Sequence, residues 1–507
     1  MDTKALRQKI LDLAIRGKLV PQDPNDEPAE VLLERIREQK QQMLKEGKLK
    51  KKDIKNDTII FKGEDNLHYE KFQDGTIKCI EDEIPFEVPE GWAWARLRDI
   101  CMMSAGKSKS TDQIKSEPFE GSYPCFGGNG VRGYVDEYNQ DGIFSIVGRQ
   151  GALCGNINIA IGKFYATEHA VVTTLFDGID FKWSNYILEA LRLNNYATGA
   201  AQPGLSVANI LNVFVPVPPT QEQDRIGNNV YESLKIVEAL EQEKIDLQKI
   251  IITAKTKILD LAIRGKLVPQ DPNDEPASVL LERIRTEKEE LIKQGKIKRD
   301  KKESVIFKGD DNSYYEKLPD EKINCIDKQL PFELPDGWKW CNLSMIGTTN
   351  IGLTYRPADI DTQGIIVLRS CNIVNDRINR TDLVRVKTSI RENQFVQKDD
   401  ILICARNGSR SLVGKCALIP ELAEKVSFGA FMAVYRTPYF SYIVHFLRSN
   451  FFRSVFDDSN STAINQLTQD MLKRAVVPLP PLAEQLRIVD KITELFERLN
   501  CIEESLN

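Results

Sequence analysis

Few side chains in this chain are placed for covalent chemistry. It has three histidines (His68, His169 and His445) and ten cysteines, with no Cys-x-x-Cys pair. That leaves little material for a zinc centre or an acid–base dyad. The scattered cysteines read as reduced thiols. The run FGGNG (Phe126–Gly130) fits the F-x-G-x-G of many S-adenosylmethionine enzymes, but no Asn- or Asp-Pro-Pro-Tyr/Phe follows it, so its glycines read as a turn. GKS (Gly106–Ser108) lacks the upstream glycine of a phosphate-binding loop, and GKC (Gly414–Cys416) lacks both that spacing and the final Ser/Thr. No catalytic residue and no metal ligand is assigned.

Polar turns are a richer signal. FSIVGRQGALCGNINIAIG (Phe144–Gly162) and DILICARNGSRSLVGKCALI (Asp400–Ile419) each pair an apolar strand with a glycine-rich, Arg- and Asn-bearing turn and a second strand. Arg and Lys reach guanine edges, Asn and Gln reach adenine edges, and Ser or Thr can bond to either. The first set of candidate DNA contacts is Lys107, Ser108, Lys109, Ser110, Thr111, Asn129, Arg132, Arg149, Gln150 and Asn156. The second is Thr354, Tyr355, Arg356, Arg369, Ser370, Asn372, Arg406, Asn407, Ser409, Arg410 and Lys415. Two lysine-rich stretches, Arg35–Lys55 and Arg283–Lys302, read as amphipathic helix ends with a charged face.

The elements that hold these turns are duplicated. Lys9–Arg37 (KILDLAIRGKLVPQDPNDEPAEVLLERIR) recurs at Lys257–Arg285 with one change in 29 positions, Glu30 to Ser278. CIEDEIPFEVPEGWAW (Cys79–Trp94) matches CIDKQLPFELPDGWKW (Cys325–Trp340). Two segments without evident similarity follow, about 96–214 and 342–475, and each leaves through a related run, VPVPPTQEQDRI (Val215–Ile226) or VPLPPLAEQLRI (Val477–Ile488). Such a period points to a repeated architecture. The unlike segments read as two mixed α/β globules dominated by strands.

Between Pro219 and Pro269 there is no proline, and the only glycines are Gly227 and Gly265. The spacing predicts one helix from Thr220 to about Arg264, with heptad positions Val230, Val237, Ile251 and Ile258 on one row and Leu240, Leu247, Ala254 and Leu261 on the other. Ile492, Leu495, Leu499 and Ile502 near the C-terminus repeat its first half. Leu6, Ile10 and Leu13 near the N-terminus repeat its second half. The repeat is thus circularly shifted. The expected fold is mixed α/β: two β-rich globules joined by a pair of long antiparallel coiled-coil helices, with pseudo-twofold circular symmetry.

The 507 residues suit about three domains. No apolar run approaches the roughly 20 residues of a membrane span, and the charged N-terminus lacks the apolar block of a secretory signal. A cytoplasmic protein with no membrane partner is expected. The net charge of −5 excludes a uniformly basic nucleic-acid coat, though not basic clefts on one face.

These parts resemble the specificity (S) subunit of type I restriction-modification enzymes. VPLPPLAEQLRIV running into a helix, and KILDLAIRGKLVPQ at its end, are similar to that family's conserved regions. IVGRQGALCGN with FYATEHAVV, and VLRSCNIVN with ILICARNGSRSLVGK, look like its target-recognition domains. The stretches 21–89 and 269–335 depart from the common pattern and look like an insertion found in some members. The resemblance implies a non-catalytic subunit of a multisubunit methyltransferase and endonuclease. Each recognition domain would bind half of a split, asymmetric target in double-stranded DNA. The helices would set the spacer and dock two methylase (M) subunits, with restriction (R) subunits completing the complex. No cofactor is implied for this chain, whereas S-adenosylmethionine, ATP and Mg are implied for its partners.

The expected layout is a half-helix at 1–18, a linker with a basic helix at 19–90, a recognition domain at 91–218 and the long helix at 219–267. A repeated linker at 268–336, a second recognition domain at 337–480 and a half-helix at 481–507 complete it. Two other classes stay open on the residues: a two-armed protein scaffold, whose binding would be indifferent to salt, and a stand-alone nuclease or methylase with cryptic motifs, active by itself.

Overall fold

The computed structural model describes residues 2–151, 153–198, 204–297, 299, 303–457 and 466–506. It divides into two units, Met1–Ile245 and Asp246–Asn507. Among the described residues, no helix is long and apolar enough to cross a membrane.

In the first unit, the N-terminal helix (Thr3–Ile15) starts at Asp2, whose carboxylate accepts the Ala5 N–H at 2.9 Å. The chain leaves that helix through Gly17 at φ +63°, where an added Cβ would lie 2.4 Å from the Pro89 ring. Only glycine satisfies both the left-handed backbone and the close approach. A second helix (Ala29–Lys45) leads to β1 (Ile59–Lys62), β2 (His68–Lys71) and β3 (Ile77–Cys79), an antiparallel sheet in the order β1-β2-β3. Then come β4 (Ala93–Arg96), β5 (Cys101–Ala105), β6 (Tyr123–Gly127), β7 (Gly130–Val135), β8 (Gln140–Gly148), β9 (Ile157–Ala166) and β10 (Ala170–Leu175). Strands β5 to β10 form one sheet ordered β5-β10-β8-β9-β6-β7, antiparallel except between β6 and β9. After a helix at Phe181–Ala190, β11 (Phe214–Val217) returns to β4, with Phe214 opposite Arg96 and Val217 opposite Ala93. This two-stranded neck closes the globule just before the long helix, Thr220–Ile263.

The second unit repeats the plan. A helix (Ala277–Lys293) precedes β12 (Val305–Lys308), β13 (Tyr314–Lys317) and β14 (Ile323–Cys325), then β15 (Lys339–Asn342). Its globule holds β16 (Thr348–Ile351), β17 (Ile360–Leu368), β18 (Ile373–Val374), β19 (Arg377–Ile378), β20 (Val384–Val386), β21 (Ile401–Cys404), β22 (Cys416–Leu418), β23 (Val426–Phe428) and β24 (Met432–Arg436). A helix (Phe440–Arg448) follows, and β25 (Val476–Leu479) pairs with β15 as the neck before the C-terminal helix, Leu482–Leu506. One sheet is ordered β16-β24-β21-β22, the antiparallel order of β5-β10-β8-β9. The unlike segments therefore share a sheet that their sequences do not reveal. A second sheet, β20-β17-β23, repeats the order and the parallel pairing of β7-β6-β9.

Each neck is tied to two helices by one buried carboxylate. Glu222 accepts Trp92 Nε1 at 3.0 Å and Gln22 Nε2 at 3.1 Å, and Gln22 also donates to the Gly17 carbonyl at 2.7 Å. In the second unit Glu484 accepts Trp338 Nε1 at 2.9 Å and Gln270 Nε2 at 3.1 Å, and Gln270 donates to the Gly265 carbonyl at 2.7 Å. Arg225–Asp26 and Arg487–Asp274 are the matching ion pairs beside them. Burial raises both carboxyl pKa values, opposed by these hydrogen bonds and the nearby arginines.

The buried row on the helices is not the heptad row throughout. Val230, Val237, Ile251 and Ile492 are buried, whereas Ile10, Leu13, Leu240, Leu247, Ile258, Leu261, Leu495 and Leu499 are half-buried. Leu6 and Ile502 are exposed. On the N-terminal helix the core residues are Leu11, Ala14 and Ile15, and Leu259, Ala262 and Ile263 repeat them. The reason is the surroundings: these turns pack into a core shared with Trp183 and Ile187 in one unit, and with Tyr442 and Phe446 in the other.

Residues 19–90 and 268–336 contain the paired helix and three-stranded sheet of each unit, anchored by a buried or half-buried lysine. Lys40 Nζ bonds Asp57 at 2.9 Å and the Arg98 carbonyl at 2.7 Å, and Lys288 bonds Glu303 and the Ser344 carbonyl at 2.8 Å each. A second anchor joins Glu70 to Arg96 at 2.7 Å and Thr58 at 2.7 Å, and Glu316 and Ser304 meet Asn342 at the matching place. The later lysines of the first stretch, Lys45, Lys48, Lys50, Lys51, Lys52 and Lys55, are exposed.

Replacing Glu222 by Ala leaves the buried Trp92 Nε1–H unmet and removes one of the two bonds of Gln22, and should cost roughly 1–3 kcal/mol of stability, whereas Gln keeps an acceptor and should cost less. The Glu222 carboxyl binds protons more tightly folded than unfolded, so its contribution to stability is greatest at low pH. That contribution falls as pH rises from the ordinary glutamate value through the raised one. Thermal unfolding of the Gln variant across this window should show a weaker pH dependence than the parent.

Candidate nucleic-acid interface

The first candidate set comes together on four loops that hydrogen-bond to one another. Lys107 N–H donates to the Ala166 carbonyl at 3.0 Å, and Arg149 N–H to the His169 carbonyl at 3.0 Å. Arg132 reaches Thr111 Oγ1 at 3.0 Å, and Asn156 Nδ2 reaches Asn129 Oδ1 at 3.0 Å. Between these loops lies an open cleft of about 530 Å³, with Asn129, Arg132, Gln150 and His169 among its lining residues and glycines 127, 128, 130 and 151 beside them. Lys107, Ser108, Ser110 and Thr111 are exposed beside it.

Two members of the set are engaged within the protein. The Lys109 side chain is 10% exposed, pairs with Glu137 at 2.7 Å and Asp136 at 3.8 Å, and lies over the Tyr165 ring. Glu137 holds its pKa above the usual lysine value. Arg149 Nε donates to the Leu205 carbonyl at 3.1 Å. Lys109 is thus held as a support of the loops, and Arg149 is held by its Nε.

The second set occupies the loops at 352–356, 368–372 and 404–415. Asn407 Nδ2 donates to Ser370 Oγ at 3.2 Å, linking two of them, and Ser409 N–H donates to Asn407 Oδ1 at 3.0 Å. Thr354, Arg356, Arg406, Ser409 and Arg410 are exposed and Lys415 is half-buried. Asn372 is a correction: it is 1% exposed, accepts the Arg369 N–H, and donates to the Asn379 and Asp382 carbonyls at 3.1 and 2.8 Å. A short polar residue after a strand satisfies backbone here rather than a ligand. Tyr355 packs on Leu353, Val367 and Val386, and Arg369 pairs with Asp382 at 2.9 Å.

Sequence reasoning missed Phe431, which is 61% exposed in the turn between β23 and β24 with the Arg406 guanidinium 5.4 Å from its ring centre. An apolar residue in a strand-like run gives no signal of exposure.

The remaining chemistry-bearing groups are structural. FGGNG is the hairpin between β6 and β7, with Gly127 opposite Gly130. At Gly106 an added Cβ would meet the Ala166 carbonyl oxygen at 2.0 Å, so this glycine serves close strand packing. Desolvation pushes the Cys101 and Cys341 thiols up to about 12 and the Cys416 thiol up to about 11, and holds His445 down at about 3. His68, Glu81 and Glu87 are the one group among the described residues whose atoms could share a cation. They are engaged already, His68 with Glu81 at 2.7 Å and Glu87 with Lys62 at 3.5 Å, and Tyr314 stands for His68 in the second unit.

A duplicated scaffold that presents two different sets of polar loops on a common sheet is the design of a recognition protein. Residues 89–254 and 335–507 match the type I restriction modification DNA specificity domain, and the chain belongs to that family. It is 29% identical over 571 aligned residues to the type I restriction enzyme EcoAI specificity subunit of Escherichia coli, covering 98% of this chain and 89% of the relative. It is 27% identical over 576 residues to the EcoEI specificity subunit of Escherichia coli, covering 97% and 89%. Its fold is like that of a chain solved in a study of the assembly and conformational transition of a type I restriction-modification system. That match has a TM-score of 0.52 at 14% identity, covering 83% of this chain and 94% of that one.

The assignment of Asn372 to structure and Thr354 to the surface separates two variants. Asn372→Ala removes three hydrogen bonds made by a buried side chain and should lower stability by about 1–3 kcal/mol. Thr354→Ala should stay within about 0.5 kcal/mol. Thermal or denaturant unfolding measures both.

Proposed function

We infer that this chain is the DNA-recognition and assembly subunit of a type I restriction-modification complex and carries no catalysis of its own. The observation that carries this reading is a common sheet order, β5-β10-β8-β9 and β16-β24-β21-β22, beneath loops that differ in sequence and length. One frame with two contents suits two unlike half-sites in double-stranded DNA. Loop residues would meet base edges, and exposed lysines the phosphates.

The helices set the distance between half-sites and dock the partners. Antiparallel pairing is supported inside each unit. Arg7 lies 3.9 Å from Glu238 while Gln22 meets Glu222, and Lys255 lies 2.7 Å from Glu503 while Gln270 meets Glu484. In both cases the partner number falls as the helix number rises. On this reading the central helix and the two terminal helices form a pseudo-twofold coiled-coil pair, on which two methylase subunits sit. Restriction subunits complete the complex, S-adenosylmethionine, ATP and Mg bind to the partners, and the assembly works in the cytoplasm.

The test is methylation-site sequencing of DNA exposed to the chain assembled with its methylase subunits. A split motif, two unlike half-sites around a fixed unread gap, is expected. No motif from an assembled complex would contradict the reading, as would robust cleavage or methyl transfer by the chain alone. Arg132→Ala should cost about 1–3 kcal/mol at one position of one half-site and leave the other half-site unchanged.

A further inference from the structure

The two globules place one turn in the same position with different residues. In the first, Gly106 N–H donates to the Ala170 carbonyl at 3.1 Å and Lys107 N–H to Ala166 at 3.0 Å. In the second, Gly352 N–H donates to Met432 at 3.3 Å and Leu353 N–H to Phe428 at 2.6 Å. Next to this turn, the Arg149 N–H donates to His169 at 3.0 Å, and the Ala405 N–H at the matching place donates to Phe431 at 2.9 Å. The two arginine loops are held alike from behind, Leu205 N–H on the Arg149 carbonyl and Leu467 N–H on the Ala405 carbonyl, beside the bridges Gln150–Gly204 and Arg406–Gln466. His169 and Phe431 are therefore equivalent positions in two domains whose sequences do not align.

Both rings face the loops that carry the candidate contacts. His169 lines the cleft with Asn129, Arg132 and Gln150. Phe431 stands 61% exposed between buried Phe428 and Met432, with Arg406 against its face. Leaving a phenylalanine ring in water forgoes much of the gain from burying it. An arginine on that ring adds charge attractive to a polyanion. Phenylalanine offers a base edge no hydrogen bond, and the apolar feature it fits in the major groove is the thymine methyl.

Resting on the recognition reading above, we propose that this turn is a specificity-determining element in both domains. His169 contacts a base edge in one half-site through its imidazole. Phe431 contacts a thymine methyl in the other, with Arg406 steadying the ring. The exchange of a polar ring for an apolar one at a single structural position is one physical source of the difference between the half-sites.

The experiment uses the chain assembled with its methylase subunits and duplexes carrying the motif found for the parent complex. Each thymine of the half-site read by the second domain is replaced in turn by uracil, which lacks the methyl group. The parent complex should bind about four-fold more weakly at one of these positions, the effect of one methyl group. The Phe431→Ala complex should bind the thymine duplex about ten-fold or more weakly and make no distinction between thymine and uracil there. His169→Ala should relax a position in the other half-site only. Phe431 is a surface residue, and Phe431→Leu, which keeps an apolar contact, should retain part of the discrimination. Unchanged affinity and motif in Phe431→Ala, or equal binding of thymine and uracil at every position by the parent, would overturn the proposal and leave the recognition reading intact. A parent complex with no split motif would overturn that reading, and the proposal with it.

Discussion

A buried carboxylate holding two neutral donors governs the architecture of each unit. Glu222 draws together the end of one helix through Gln22, the first strand of the neck through Trp92, and the start of the next helix, to which it belongs. These residues are far apart in sequence, and Glu484 rebuilds the arrangement from Gln270 and Trp338. A carboxylate is tolerated in such a place because its oxygens are bonded, and it tolerates little change because the buried Trp92 and Trp338 indole N–H groups would otherwise be stranded. The joint sets the directions in which the two helices leave the neck. The neck in turn sets where the globule and its loops point. That is why the frame sequences are repeated almost unchanged while the globules between them differ.

The parts of the fold legible in the sequence are those fixed by local rules or by near-identity. The repeat was visible because its copies match residue for residue. The long helix was visible because proline is absent and apolar positions recur at helical spacing, and it spans Thr220–Ile263. Resemblance to the specificity family rested on the same frames. The shared order of β5-β10-β8-β9 and β16-β24-β21-β22 was hidden, because strand order is set by long-range pairing that leaves no period in one chain. The heptad gives no sign that Leu11, Ala14 and Ile15 are the core residues of the N-terminal helix, since it describes helix packing on helix and not on a globule.

The candidate site was legible as loops more than as residues. Glycine-rich turns with Arg and Asn marked the segments that converge around the cleft near Gln150 and around Arg406. Residue type could not separate outward side chains from those that support a loop. Asn372 bonds backbone and Lys109 pairs with Glu137, whereas Asn129 and Arg132 line the cleft. Phe431 was invisible for the opposite reason, its type suggesting a core its position does not provide. Packing and hydrogen bonding, which place every one of these side chains, are decided by neighbours distant in sequence.

On the proposed reading, recognition domains held by the helices measure the gap between two half-sites. Insertion of about one helical turn, roughly four residues, near the middle of the long helix tests it directly, since it adds about 6 Å to the helix. Methylation-site sequencing of the assembled complex should then show the same two half-sites separated by a longer spacer. An unchanged spacer, or half-sites whose bases had changed, would contradict the account.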